Sequence, residues 1–210
     1  MLRTITAALV LTALSIISVT AGVGAPAQQG SMPLRHRPVH NLLPLRAGEL
    51  AALEVSPAFT YVGGQRFVLG GAADAEQHLF VLADANKRVQ RVYWIQIEEL
   101  LPTRPGAYNY SADRTVTVYG LPFALNIRQY TTAPDSGSDR ARAFALLHLS
   151  GYDIPEGAIR ARLVYLPDSA ARREIMIVYL EPPSAAAIVT AARAALVARA
   201  TGDFVVHPRP

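Results

Sequence analysis

Two runs of alternating side chains dominate the middle of the chain. Gln77 to Ala83 and Val89 to Ile97 are rich in β-branched, aromatic and large aliphatic residues, and the polar cluster Asp84-Ala85-Asn86-Lys87-Arg88 separates them. Period-two runs around a turn cluster predict a β-hairpin. Phe80, Leu82, Tyr93, Ile95 and Ile97 are apolar, and so are the intervening Leu79, Val81, Val92 and Trp94. Strands that are apolar on both sides belong to the centre of a sheet covered on both faces, or to a closed or strongly curved sheet. If Asn86-Lys87 is a two-residue turn, Leu79 lies opposite Trp94 and Phe80 opposite Tyr93; a three- or five-residue loop shifts that register, and the sequence leaves the alternatives open.

The same reading extends along the chain. Phe59 to Val62 and Gln65 to Leu69 flank Gly63-Gly64 and predict another hairpin, closed off by Gly70-Gly71. A loop from Pro102 carries Tyr108 and Tyr110, and Thr115 to Tyr119 pairs with Phe123 to Tyr130 around Gly120-Leu121-Pro122. Ser138 is the N-cap of a helix with an apolar stripe of Ala143, Phe144, Leu146, Leu147 and Leu149, ended by Gly151. Two more strands follow, Ala158 to Leu166 and Glu174 to Leu180. Pro182-Pro183-Ser184 then opens a helix from Ala185 to about Ala200, with Ile188, Val189, Ala192, Leu196 and Val197 on its apolar face. The expected fold is α+β: a mostly antiparallel, curved sheet of about six to eight strands with two helices packed on it, or a half-barrel that grips the terminal helix.

The ends of the chain read differently. Met1-Leu2-Arg3, the uncharged run Ile5 to Val19 and the small-residue site Ala25-Pro26-Ala27 form an export signal over residues 1–27, with the mature chain starting near Gln28. An uncleaved anchor is the rival reading, since the run is long enough to span a bilayer, but Gly22, Gly24 and Pro26 favour cleavage and hence no stable membrane span. Residues 28–57, with Pro33, Pro38, Pro44 and Pro57 among Arg35, His36, Arg37, His40 and Arg46, read as an extended basic arm ending in a short helical piece, Gly48 to Leu53. Residues 58–210 form one globular domain, large enough at about 180 mature residues to bury roughly 70% of its chain surface.

Composition narrows the function. The absence of cysteine excludes a lipoprotein anchor, a disulfide framework, a thiol nucleophile and cysteine-based metal sites. Lys87 is the only lysine among 20 basic residues, a compositional sign of a GC-rich bacterial genome. The formal charge of +4 falls to +3 once Arg3 leaves with the signal, and the remaining charge is dispersed, which argues against nucleic acid as a partner.

Candidate chemistry is sparse. No serine lies in a Gly-x-Ser-x-Gly turn, the paired glycines lack the helix and lysine of a phosphate loop, and Asp84-x-Asn86 does not continue as a calcium loop. Glu98 and Glu99 are adjacent in a strand and point to opposite faces. His36 and His40 are spaced for metal on a helix, but Pro38 lies between them, so no metal and no cofactor is expected. His148 sits beside its helix stripe as a boundary residue. The candidate ligand contacts are His78, Tyr93 and Trp94 on the central hairpin, Tyr110 as an aromatic wall or a plug over a sheet edge, and Arg128 as an anion anchor or an ion-pair partner. These features favour an exported, non-catalytic domain, periplasmic or extracellular, that binds a small molecule or an envelope protein. The alternatives are a hydrolase-like enzyme without a short motif, using His78, and a structural envelope protein whose basic arm recruits a partner.

Overall fold

The computed structural model describes residues 32–48, 50–183 and 190–209; the expected export signal and the start of the last helix, Ala185 to Val189, lie outside the described residues. The chain runs β1 (Leu42–Ala47), β2 (Leu50–Val55), β3 (Thr60–Leu69), β4 (Ala73–Ala83), β5 (Val89–Leu100), β6 (Arg114–Val118) and β7 (Leu121–Gln129). It continues through α1 (Asp139–Leu149), β8 (Ile159–Tyr165), β9 (Arg173–Glu181), α2 (Thr190–Gly202) and β10 (Phe204–Pro208). Seven strands form one antiparallel sheet in the order β3-β4-β5-β9-β8-β7-β6, and β1-β2-β10 form a second, smaller one. The fold is α+β, with mostly antiparallel sheet and two helices, and the large sheet is open, with β3 and β6 at its edges.

The central hairpin is β4-β5. Leu79 lies opposite Trp94 and Phe80 opposite Tyr93, the register of a two-residue turn, yet the connection is the five residues Asp84 to Arg88. A bulge at Leu82/Ala83 absorbs the difference. Asp84 organises the loop, its Oδ1 accepting the backbone N–H groups of Asn86 and Arg88 at 2.9 Å each.

Side chains alternate across the large sheet, and both faces are covered. Phe80, Tyr93, Ile95, Ile177, Tyr179, Leu163 and Leu125 point to one face, where Leu43, Leu53, Val55 and Phe204 of the small sheet and Leu196 and Ala200 of α2 pack on them. Leu79, Val81, Trp94, Met176, Val178 and Leu180 point to the other, under Ala143 and Leu147 of α1. α1 has the expected cap, with Ser138 Oγ accepting Ala141 N–H at 3.1 Å. Leu149, expected in the apolar stripe, is 81% exposed.

Two local expectations are corrected. Gly48 to Leu53 is no helix: Gly48 is in the turn and Leu50–Val55 is the central strand of the small sheet, with Leu50, Leu53 and Val55 fully buried. The alanines and leucine favour helix locally, and tertiary packing overrides that preference. Pro44 is tolerated because β1 is an edge strand. Gly48 adopts φ +57°, and a side chain there would meet the Pro167 carbonyl at 2.4 Å. The two short strands expected around Gly63-Gly64 are one strand, β3, with a bulge between Tyr61 and Gly63, and the tight turn falls instead at Gly70-Gly71, at φ +55° and +63°.

Tyr93 ties the sheet to α2. Its ring is fully buried, and its hydroxyl donates to the Arg199 and Ala200 carbonyls at 3.2 and 3.1 Å, supplying partners to the last turn of the helix. Tyr93→Phe leaves those carbonyls unpartnered and is expected to cost about 1–2 kcal/mol, seen as a lower denaturant midpoint at unchanged slope. An unchanged midpoint would show that Tyr93 does not hold the helix end.

Candidate functional site

Covering both faces forces the buried polar residues of β4, β5 and β9, Glu76, Gln77, His78, Gln96, Glu98 and Glu174, to pair inside the protein. They gather toward one end of these strands, in a different cluster on each face.

On the α1 face, Gln65 Nε2 donates to Gln77 Oε1 (2.9 Å), and Gln77 Nε2 donates to Gln96 Oε1 (2.6 Å) and to the Asp139 carbonyl at the start of α1 (2.9 Å). Gln96 Oε1 also accepts the Trp94 indole N–H at 3.0 Å, and the Gln96 amide donates to Glu98. Glu98 and Glu174 are direct cross-strand partners, 6% and 1% exposed. Tyr108 donates to Glu98 at 3.0 Å and Tyr110 donates to Glu174, with their rings stacked 6.1 Å apart and Arg162 lying 4.6 Å over the Tyr110 ring. Burial pushes both carboxyls up; the Glu98 charge adds to this at Glu174, which rises to about 7. The phenols of Tyr108 and Tyr110 are raised by burial and by the same carboxylates, so both remain hydrogen-bond donors. Each carboxylate therefore disfavours the other's charge, and the pair favours holding a proton well above the usual carboxylate range.

Beside this cluster a groove of about 450 Å³ opens between the sheet and the start of α1. Trp94, Met176 and Val178 line it together with Tyr130, and Arg140, Arg160 and Arg162 reach it from α1 and β8. Arg140 and Arg160 lie 4.6 and 5.6 Å from the Tyr130 ring centroid. Arg162 Nε donates to Met176 Sδ at 2.9 Å, Arg140 donates to the Ala133 carbonyl and Arg160 to Asn126. Arg160 Nε is buried with no hydrogen-bond partner, and among the described residues none of the three guanidiniums has a carboxylate within ion-pair distance. Asp135 and Asp139 also line the groove, and Asp139 Oδ1 accepts the Arg140 backbone N–H at 2.7 Å.

On the other face, Glu76 holds the arm. Its Oε2 accepts Arg35 N–H and its Oε1 accepts His36 N–H, both at 2.8 Å, while His36 Nδ1 and His78 Nε2 lie 3.2 and 2.9 Å from Oε1. Burial works to raise the Glu76 carboxyl, but these hydrogen bonds outweigh it and hold the group well below the usual carboxylate range. His78 is fully buried, and its Nδ1 meets the Tyr61 hydroxyl at 3.1 Å. Burial and the Glu76 charge push the Tyr61 phenol up to about 12.

The five expected ligand contacts are thus dispersed. His78 and Tyr93 point to the small-sheet face and Trp94 to the α1 face, because side chains alternate along β4 and β5, so the hairpin does not bring His78 and Trp94 to one face. Tyr93 is a helix anchor, Tyr110 caps Glu174, and Arg128 makes a half-exposed bidentate pair with Asp113 at 2.8 and 3.0 Å. Only Trp94 of the five lines the groove. Sequence reading missed Arg160, Arg162, Glu98 with Glu174, and Glu76; alternating Arg160-Ala-Arg162 was the available signal for a cationic face on β8.

Fold and clusters define a cysteine-free α+β domain of two antiparallel sheets, with a cationic groove on one face of the larger sheet and a buried histidine–carboxylate cluster on the other. No protein-family model, no curated protein and no solved structure matches the chain.

The carboxyl pair predicts a pH dependence. A folded-state value near 7 against an ordinary value near 4.5 means that the native state holds a proton the unfolded chain has lost, so stability falls as pH rises between the two. Glu98, Asp139, Arg162, Tyr108 and Tyr110 face this proton. Glu174→Gln should flatten the decline between about pH 5 and pH 7 and raise stability at pH 8 by on the order of 2 kcal/mol relative to the native chain. Parallel stability profiles for the two proteins would overturn the assignment.

Proposed function

We propose that this protein is an exported, non-catalytic small-ligand-binding domain, and that its ligand is a small organic anion with a flat apolar body, held in the groove over Trp94. One observation carries this reading: Arg140, Arg160 and Arg162 converge on a groove beside Trp94, Met176 and Val178, and among the described residues none of the three has a carboxylate within ion-pair distance. Partly desolvated guanidiniums held by neutral partners gain from an anion that completes them, and the strongest hydrogen bonds available to them are to carboxylate, sulfonate or phosphate oxygens. Trp94 and Tyr130 supply a surface for an aromatic or aliphatic body. His78, the base of the rival enzyme reading, has both ring nitrogens engaged in the Glu76 and Tyr61 contacts and lies on the opposite face from the groove.

Trp94 is the single tryptophan and a natural reporter. Titration with naphthalene sulfonate, or with inorganic phosphate as the bare anion, should change its emission saturably and release heat at one site. Arg160→Ala should weaken binding about tenfold or more, while Arg128→Ala, remote from the groove and paired with Asp113, should leave it unchanged. Silence in both emission and calorimetry would remove the anion-binding reading. Export is tested separately: the protein recovered outside the cytoplasm should begin near Gln28, and an intact Met1 on a cytoplasmic protein would overturn it.

A further inference from the structure

The small-sheet face of β4 carries a second site, independent of the groove. His36 Nδ1, Glu76 Oε1 and His78 Nε2 all lie within 4.8 Å of one another, and all three residues are buried. For bonds of about 2.0–2.1 Å, adjacent ligands of a tetrahedral metal stand roughly 3.3 Å apart. The two histidine nitrogens stand 3.2 and 2.9 Å from Glu76 Oε1, one at the length of such an edge and the other a few tenths of an ångström short of it.

The surroundings match as well. A cavity of about 280 Å³, lined by Arg35, His36, Glu76, Ile97 and Glu99, opens beside the trio and leaves room for a fourth, exchangeable ligand such as water. The outer partner is in place too. For Nε2 to offer its lone pair, the proton of His78 must sit on Nδ1, and there the Tyr61 oxygen, 3.1 Å away, accepts it. Gly64 makes this contact feasible: a Cβ at that position would stand 2.8 Å from the Tyr61 hydroxyl and 2.9 Å from His78 Nδ1. The Glu76 carboxylate is turned onto the site by the backbone N–H groups of Arg35 and His36. Two imidazoles and one carboxylate suit a borderline divalent ion better than calcium or magnesium, which take oxygen ligands.

We propose that His36, Glu76 and His78 form a binding site for one divalent first-row transition-metal ion of the zinc class, closed by the arm folding onto β4. The rival account is a hydrogen-bonded clasp with no metal. The test uses the whole protein, stripped with chelator and titrated with Zn²⁺ by calorimetry and with Co²⁺ by visible absorption. One equivalent should bind, raise the melting temperature and give the absorption of a low-coordinate Co²⁺ centre. His36→Ala, which alters the arm and leaves the sheet intact, should weaken binding about a hundredfold or more, and Tyr61→Phe should weaken it about ten- to a hundredfold. His40→Ala and His207→Ala should bind as the native chain does. Stoichiometric binding that survives His36→Ala, or a native protein with neither a Co²⁺ spectrum nor a metal-dependent rise in melting temperature, overturns the site and leaves the clasp. The native-chain measurements decide the matter even where a variant fails to fold.

Discussion

The buried polar groups of β4, β5 and β9 are constrained by one fact: the sheet is covered on both faces, and water reaches little of its centre. Glu76, Gln77, His78, Gln96, Glu98 and Glu174 are all buried, and each finds its partner in a neighbouring side chain or in the backbone of an overlying segment. An unpaired buried polar group costs a few kcal/mol, so these pairings fix what lies above them as firmly as the apolar contacts do. Gln77 fixes the start of α1, Glu76 fixes the arm, and Glu98 with Glu174 fixes the loop that carries Tyr108 and Tyr110.

Much of the large sheet was legible because period-two patterning is a direct record of burial. The hairpin register Leu79–Trp94 followed from symmetry about Asn86-Lys87, although a bulge and a five-residue loop produce it. The small sheet was hidden for a physical reason. LLPLRA and LAALEV read as breaker and helix former, and their strand character comes from partners far away in the chain, β10 above all, whose Val206 lies opposite Leu53. The Phe59–Leu69 segment misled through its glycines. Gly63-Gly64 resembles a hairpin turn, but it serves a bulge and a close cross-strand approach within β3.

The site was less legible than the fold because it is built from parity. Reading along β4, His78 sits beside Leu79 and near Trp94 in register, and only the alternation of faces separates them. Trp94 lines the groove on the α1 face. His78 instead joined Glu76, two residues away on its own face, and His36 from the arm. The segment from His36 to His40 is not helical, in keeping with Pro38 between them, and the partner of His36 is Glu76, 40 residues away. Likewise Glu98 beside Glu99 looked unproductive, and rightly so, since the productive neighbour of Glu98 is Glu174 across the ladder.

A sheet built for stability alone would place apolar or oppositely charged residues at that cross-strand position, because like charges directly opposite are unfavourable. Burial of the pair deepens the cost, and replacement of buried charges by packed apolar groups is often neutral or stabilising. The same argument applies to the guanidiniums of the groove and to a carboxylate enclosed by two imidazoles. Two of these departures, the Glu98–Glu174 pair and the Glu76 cluster, share one end of β4, β5 and β9, and the guanidiniums stand nearby on β8 and at the start of α1. Local rules broken together, in one place, mark where a protein meets its chemistry. The groove and the histidine cluster each border a cavity, on opposite faces of the sheet, and so form separate sites rather than one extended core network.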